Sequence, residues 1–347
     1  NRYTVFSLWD TYRNVSTLMT LLYPERQLDI IRTMLDMYRE NGWLPKWELY
    51  GRETFTMEGD PSIPYIVDAW MRGLRDFDEQ TAYEAMRKGA TTPGEFNLLR
   101  PDANDYFSKG YVPLREQYDN SVSHALEYYI ADWNLANFAQ ALGKKEDAKL
   151  FRDRSLGYKH YYSKEFGTLR PILPDGTFYS PFDPKQGENF EPSPGFHDGN
   201  YDPANEPDIA YPYLFSYFKG EAWRTQKLVR QLLKDCYHNA PNGVPGNEDT
   251  GTMSAWAIFS MMGFYPACPG DVNYVLTSPT FDKVTIQLDK KFYPKGELVI
   301  ESKHSNPEAI YIKDVFAGDK KLKGYTISQE ELVNAGTLRY ILEDTHK

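Results

Sequence analysis

The sequence predicts a mainly α-helical fold, a toroid of helical hairpins followed by C-terminal β-strands. Three observations predict it. Up to about Met262 the apolar residues recur at three- and four-residue spacing, the period of one buried helix face. After Tyr265-Pro266 the period falls to two, as in half-buried strands. Short turns alternate with long loops rich in Gly, Pro and aromatics, so the long loops are expected to gather at one mouth and carry the chemistry. The expected division is residues 1–265 for the helical toroid and 266–347 for the β-rich region.

Leu28, Ile31, Met34, Leu35 and Tyr38 define a first clear helix, with Pro24 suited to its opening turn and Asn41-Gly42 to its stop. A second begins near Asp119-Asn120-Ser121 and ends at Gly143, with Leu126, Tyr129, Ile130, Trp133, Ala136 and Leu142 along it. Further helices are expected over 63–72, 79–87, 145–161, 210–218, 221–236 and 253–262, and the long loops over 170–206 and 239–252. Val284–Leu288, Leu298–Ile300, Ile310–Ile312 and Leu338–Leu342 alternate as strands. So few strands leave exposed edges, and they are expected to complete a β-sandwich subdomain whose other strands precede residue 1. The chain opens at Asn1 with neither a start methionine nor a signal-peptide pattern, as expected of a piece of a longer protein.

Composition narrows the function. Of 347 residues, 39 are Lys or Arg and 49 Asp or Glu, a net charge of −10, which argues against a nucleic-acid partner. No apolar run approaches the roughly 20 residues of a membrane span. Two cysteines, Cys236 and Cys268, exclude a disulfide scaffold and a Cys-rich zinc site; two buried thiols and one bridge both fit. Tyr is the commonest aromatic, and rings with a polar handle suit a wide, wet cleft such as a sugar site. No phosphate loop, dinucleotide fingerprint, serine elbow or His-Glu-x-x-His occurs.

Three constellations remain. Gly243 to Trp256 holds two adjacent carboxylates, Glu248 and Asp249, in a Gly- and Pro-rich turn before an apolar helix. Helix capping explains such acids as well as a catalytic base held ionised by helix amides. Asp202, Asn205, Glu206 and Asp208 are hard oxygen donors in a loop stiffened by prolines, suited to calcium over zinc, although turn-forming residues have the same composition. Trp9-Asp10 is a pairing that holds sugars, the ring on the C–H face and the carboxylate on hydroxyls; an Asp–Arg pair with Arg13 is the plainer explanation. Glu53 and Glu58 form an acidic loop that could face the same mouth. Paired carboxylates, a hard cation and aromatics point to glycoside chemistry.

The blocks Ser7-Leu8-Trp9-Asp10-Thr11, Tyr50-Gly51-Arg52-Glu53-Thr54, Ala204-Asn205-Glu206-Pro207-Asp208, Gly246-Asn247-Glu248-Asp249-x-Gly-x-Met253-Ser254-Ala255-Trp256 and Met262-Gly263-Phe264-Tyr265-Pro266 occur in that order. Together they resemble glycoside hydrolase family 92, calcium-dependent, inverting exo-α-mannosidases best known from gut Bacteroides. The resemblance implies an (α/α)6 toroid packed on a β-sandwich, and a periplasmic, cell-surface or secreted enzyme acting on mannose-containing glycans, N-glycans among them. It implies Asp249 as general base with Glu248 beside it, Asn205 and Glu206 at a Ca2+ site, and Trp9 and Asp10 against the terminal mannose, with Glu53 as a further substrate contact. The family's catalytic acid is a Glu in a Glu-Gly-Asn-x-Trp block. Here Phe196-His197 runs directly into Asp198-Gly199-Asn200, so a segment is expected to be missing between His197 and Asp198, and no residue is assigned as acid. Phe55-Thr56-Met57-Glu58 and Asp202-Pro203 also depart from the pattern, which leaves the linkage open. A carbohydrate-binding protein on a hydrolase scaffold, or a toroid glycosidase for another α-linked sugar, are the alternatives.

Overall fold

The computed structural model describes residues 1–115, 120–183, 201–306 and 308–346. The chain divides into two compact units, Asn1–Tyr12 with Leu28–Glu188, and Arg13–Gln27 with Asn189–Lys347.

The first unit is mostly helical. In the helix Pro24–Asn41, which enters this unit at Leu28, the predicted residues Leu28, Ile31, Met34 and Leu35 are buried. The helix Ser121–Ala141 reverses into Lys145–Ser155 through Gly143, whose φ of 74° is cheap only for glycine. The amide of Lys144 donates to Ala139 O at 2.8 Å and seals the reversal. Ser121–Ala141 also packs on Ser62–Met71 and Glu79–Thr91. It is therefore buried on several faces: Tyr128, Asp132 and Leu135 are fully buried, while the predicted Leu126, Ile130 and Trp133 are half-exposed. Asp132 is a buried hub, accepting from Arg100 Nη1 at 2.7 Å, Arg154 Nε at 2.7 Å and Tyr106 OH at 2.9 Å. Phe6–Ser7, Trp47–Leu49 and Arg52–Glu53 form a small antiparallel sheet, with Ser7 opposite Trp47 and Glu48 opposite Glu53.

The segment expected as one helix over 145–161 is an α-helix only to Ser155 and continues as a 3-10 turn, Gly157–His160. Gly157 explains the change: a Cβ there would lie 2.5 Å from Gly110 O and from the Tyr129 ring, so tertiary contact sets the backbone.

The second unit holds the helices Val15–Leu22, Ala222–Cys236, Thr252–Met262 and Gln329–Ala335. The stretch expected as a helix over 210–218 is a 3-10 helix, Asp208–Tyr217. Pro212 inside it has no amide hydrogen and cannot join an α-helical ladder. All four predicted strands appear, within Lys283–Gln287, Glu297–His304, Tyr311–Ala317 and Thr337–Glu343, in a five-stranded sheet with Lys320–Lys321 at its edge. Thr337–Glu343 runs parallel to Glu297–His304 and antiparallel to Tyr311–Ala317. Leu338, Tyr340 and Leu342 are buried while the residues between them are not, the period of two read from the sequence. No disulfide joins Cys236 to Cys268.

Candidate functional site

In the second unit the acidic turn is shaped by its glycines. Gly243 closes a turn onto His238 that has no room for a side chain: a Cβ would sit 1.8 Å from His238 O. The amide of His238 donates to Gly243 O at 2.8 Å. Gly246, at φ 63°, approaches the neighbouring 201–208 turn so closely that a Cβ would lie 2.7 Å from Ala204 Cβ. Asp249, Thr250 and Gly251 then follow at φ 49°, 56° and 96°. Three left-handed residues in succession are unusual, and a β-branched Thr among them is strained by about 1–3 kcal/mol.

The turn delivers the chain into the N-terminus of Thr252–Met262. Glu248 serves that terminus: its Oε1 accepts from Ser254 N at 3.1 Å and its carbonyl from Met253 N at 3.3 Å. Asn14 holds the same end through Nδ2, which donates to Thr252 O at 3.1 Å and to Tyr265 OH at 3.3 Å. Below it the rings of Tyr213 and Tyr265 stack at 4.1 Å, and Trp256 Nε1 donates to Ile209 O at 2.8 Å. The turn therefore sits on a rigid aromatic base.

The 201–208 turn uses two of its four expected donors on itself. Asp202 Oδ1 accepts from Ala204 N at 2.9 Å, and Asp208 Oδ2 accepts from Asp202 N at 2.9 Å. Burial raises the Asp208 carboxyl to about 6; the hydrogen bond from the Asp202 amide pulls it down, the Asp202 charge pushes it up, and Arg13 pulls it down. Glu206, only 6% exposed, presents a carboxylate oxygen within 4.8 Å of one from half-buried Asp249. Two carboxylates so close repel by roughly 3 kcal/mol at an effective dielectric of 20, and a divalent cation held at Glu206 would offset that repulsion. Hard, negatively charged oxygens suit calcium or magnesium, and Asn205, next to Glu206 in the sequence, carries a neutral amide oxygen of the same hard class.

In the first unit Asp10 is 2% exposed in the short helix Leu8–Thr11, where its carboxylate accepts from Ser7 Oγ. Trp9 is buried beside it. Glu53 spends its carboxylate on backbone: Oε2 accepts from Lys46 N at 2.8 Å, and Oε1 from Trp47 N at 2.9 Å and Phe55 N at 2.7 Å. Glu58 lies 3.7 Å from His124 Nε2, and His124 Nδ1 is 2.6 Å from Asp102 Oδ2.

Of the residues predicted from sequence, the structure brings Glu206 and Asp249 together in one unit, and Trp9, Asp10 and Glu53 into the other, where the strands Phe6–Ser7, Trp47–Leu49 and Arg52–Glu53 pair. Asp198-Gly199-Asn200 and the join at His197 lie outside the described residues. Sequence reasoning missed the Ala204–Gly246 contact, Asn14, and the bond from Tyr12 OH to Glu127 Oε2 at 2.8 Å. Only the glycine signalled its contact in advance, since a Gly in such a turn marks a close approach. Among the described residues no helix is long and apolar enough to cross a membrane.

Comparison with known proteins supplies the context. The model of the glycosyl hydrolase family 92 catalytic domain matches residues 1–200 and 188–344. A family GH92 α-mannosidase of Bacteroides thetaiotaomicron has a similar structure, with a TM-score of 0.89 at 29% identity over 99% of this chain and 50% of that one. An inverting mannosidase of the same family from Bacteroides thetaiotaomicron is similar at a TM-score of 0.87 and 27% identity, over 99% of this chain and 54% of that one. An uncharacterised secreted glycosidase of Arthroderma benhamiae is 26% identical over 92% of this chain and 49% of its own. The chain thus spans about half the length of the relatives it matches. The mainly helical fold with C-terminal sheets is the one they share. On the extent of these matches, the chain belongs to the catalytic-domain family of glycosyl hydrolase family 92.

Proposed function

We propose that this chain carries the hydrolytic machinery of a calcium-dependent exo-α-mannosidase that inverts configuration. The observation that carries the reading is the pairing of buried Glu206 with Asp249, the latter on a strained turn anchored by Glu248 and Gly246. Membership of the family and likeness to two α-mannosidase structures supply the substrate class.

In this reading Glu206 and Asn205 hold the cation, and Asp249 is the general base. A water oriented on Asp249 attacks the anomeric carbon and gives its proton to the carboxylate. The new C–O bond forms on one face as the glycosidic bond breaks on the other, in a single displacement. Calcium, when bound, supplies Lewis-acid polarisation of the sugar hydroxyls. Glu248 keeps the turn in place from the helix side, so that Asp249 is presented without reorganisation. Trp9 packs on the C–H face of the terminal mannose and Asp10 takes its hydroxyls, while Glu53 acts on the substrate through the loop that its carboxylate fixes. The leaving oxygen needs a proton, and we assign that donor to no described residue. We take residues 1–265 as the catalytic part and 266–347 as the β-rich part. A periplasmic, cell-surface or secreted location is part of this reading, supported by calcium use and by the likeness to a secreted glycosidase.

The roles of the two carboxylates are separable. Asp249→Asn is expected to remove turnover of an aryl α-mannoside while the calcium-induced rise in melting temperature persists. Glu206→Gln is expected to weaken the calcium response itself. If Asp249→Asn abolishes the calcium response and Glu206→Gln leaves it intact, the roles are reversed and this mechanism is wrong.

A further inference from the structure

The first unit contains a cavity of about 430 Å³ to which the mechanism above assigns no ligand, although Glu53 is on its wall. Tyr3, Trp43, Tyr50, Phe55 and the Arg2–Glu40 pair line it, and neither Trp9 nor Asp10 does. Its volume lies in the range of small-molecule sites.

Its charges are already satisfied. Arg2 donates from both terminal nitrogens to Glu40 at 2.6 Å each. The buried Glu48 accepts from Thr4 Oγ1 at 2.6 and 2.8 Å, from Val5 N at 2.7 Å and from Gly51 N. Glu53, also on the wall, is saturated by the three amides named above. Carboxylates so occupied do not recruit a cation, and the paired arginine does not recruit an anion. A neutral ligand with hydroxyls and C–H faces matches a wall of rings with polar tips. Trp43 is braced for such a role: Lys88 Nζ lies 4.5 Å from its ring centroid and is not part of the wall.

The backbone carries a second sign. Tyr50 and Gly51 form the tip between strands Trp47–Leu49 and Arg52–Glu53, with φ of 51° and 83°. A two-residue hairpin with both residues left-handed favours Asn-Gly or Asp-Gly, and a bulky Tyr at the first position is an outlier. The ring adds nothing to the core, since Tyr50 is 87% exposed. Phe55, on the same wall, is also left-handed, at φ 53°. Asn at position 50 would make the turn without strain, so fold stability does not explain the tyrosine. Strained residues grouped on one cavity are characteristic of binding sites.

We propose that this cavity is a second saccharide subsite that takes one neutral hexose ring of a mannoside, with Trp43 and Phe55 against the C–H face and Tyr50 closing over it. The identity of the sugar rests on the mannosidase reading; the neutral-sugar chemistry rests on the cavity.

Calorimetric titration of the full chain with a hydrolysis-resistant S-linked α-mannobioside tests it, using wild type, Tyr50→Asn and Trp43→Phe. Saturable binding to wild type is expected to weaken about three- to tenfold in Tyr50→Asn, while the melting temperature holds or rises. Trp43→Phe, which keeps a ring in the wall, is expected to lose less. Unchanged affinity in Tyr50→Asn, or no saturable binding to wild type, overturns the proposal, including the case in which a polypeptide covers the cavity. Turnover of an aryl mannoside, measured alongside, separates the two ideas. Turnover with unchanged affinity in Tyr50→Asn sinks the subsite alone. Weakened binding in Tyr50→Asn without wild-type turnover sinks the mannosidase reading and leaves the sugar site standing.

Discussion

Replacing Gly246 by alanine is expected to disturb the acidic turn through one contact. Gly246 lies at φ 63°, where a Cβ costs about 1–2 kcal/mol. That Cβ would also meet Ala204 Cβ at 2.7 Å, well inside ordinary carbon contact, an overpacking penalty of about 1–3 kcal/mol. The sum is roughly 2–5 kcal/mol if the two turns hold their positions. If they part instead, stability falls less, but Asp249 and Glu206 move apart, because each lies within three residues of the contact. Gly220→Ala is the control: its φ is 84° and nothing lies within 4 Å of the added Cβ, so only the conformational cost applies. Denaturant melts of Gly246→Ala, Ala204→Gly and the double variant isolate the contact. The double variant is expected to recover about 1–3 kcal/mol of the loss, and with it the calcium response. A Gly246→Ala protein no less stable than Gly220→Ala, with an unaltered calcium response, would refute the packing argument.

Other consequences follow from the first unit. Burial works against the imidazolium of His124, but the bond to Asp102 and the charge of Glu58 outweigh it, with Lys46 opposing, so its pKa is raised. A raised folded pKa means the stabilisation is complete below about pH 6.5 and disappears as pH rises through the folded value. The melting-temperature advantage of wild type over His124→Gln is therefore expected to shrink with rising pH; an advantage that grows would show the sign to be wrong. Arg100 is fully buried between Asp60 at 3.2 Å and Asp132 at 2.7 Å. Burial pushes the Asp60 carboxyl up and Arg100 pulls it back, so Arg100→Met should cost about 3–5 kcal/mol by stranding Asp60, while Asp132 keeps Arg154 and Tyr106. A loss below about 1 kcal/mol in urea melts would mean that the pair contributes no more than a surface ion pair.

The sequence showed most where one physical cause acted alone. Pro24–Asn41 has one buried face, so its period was readable; Ser121–Ala141 packs on several helices, so its ends were legible and its buried side was not. Asn273–Leu276 escaped notice because Tyr274, Val275 and Leu276 are all buried and show no alternation. The helix Gln329–Ala335 was legible but overlooked: Ser328 and Glu331 have the spacing of a capping box, and Ser328 Oγ accepts from Glu331 N at 3.1 Å. Within the site, the acidic residues could be read but their division of labour could not. Asp202, Asp208 and Glu248 proved to bind backbone amides, and the pairing of Glu206 with Asp249 depends on a contact between segments far apart in sequence. Turn-forming acids and metal-binding acids have the same composition, and only the direction of each carboxylate separates them.

The central claim is that Asp249 activates water for hydrolysis of an α-mannoside with calcium held at Glu206. Its most direct test is release of dinitrophenol from dinitrophenyl α-mannoside by wild type and Asp249→Asn, each with calcium and with EGTA. This leaving group departs without a proton, so the unassigned acid does not limit the assay. The account predicts release by wild type with calcium, its loss in EGTA, and none by Asp249→Asn under either condition. Release that ignores calcium and survives Asp249→Asn, or none from calcium-loaded wild type, would contradict it.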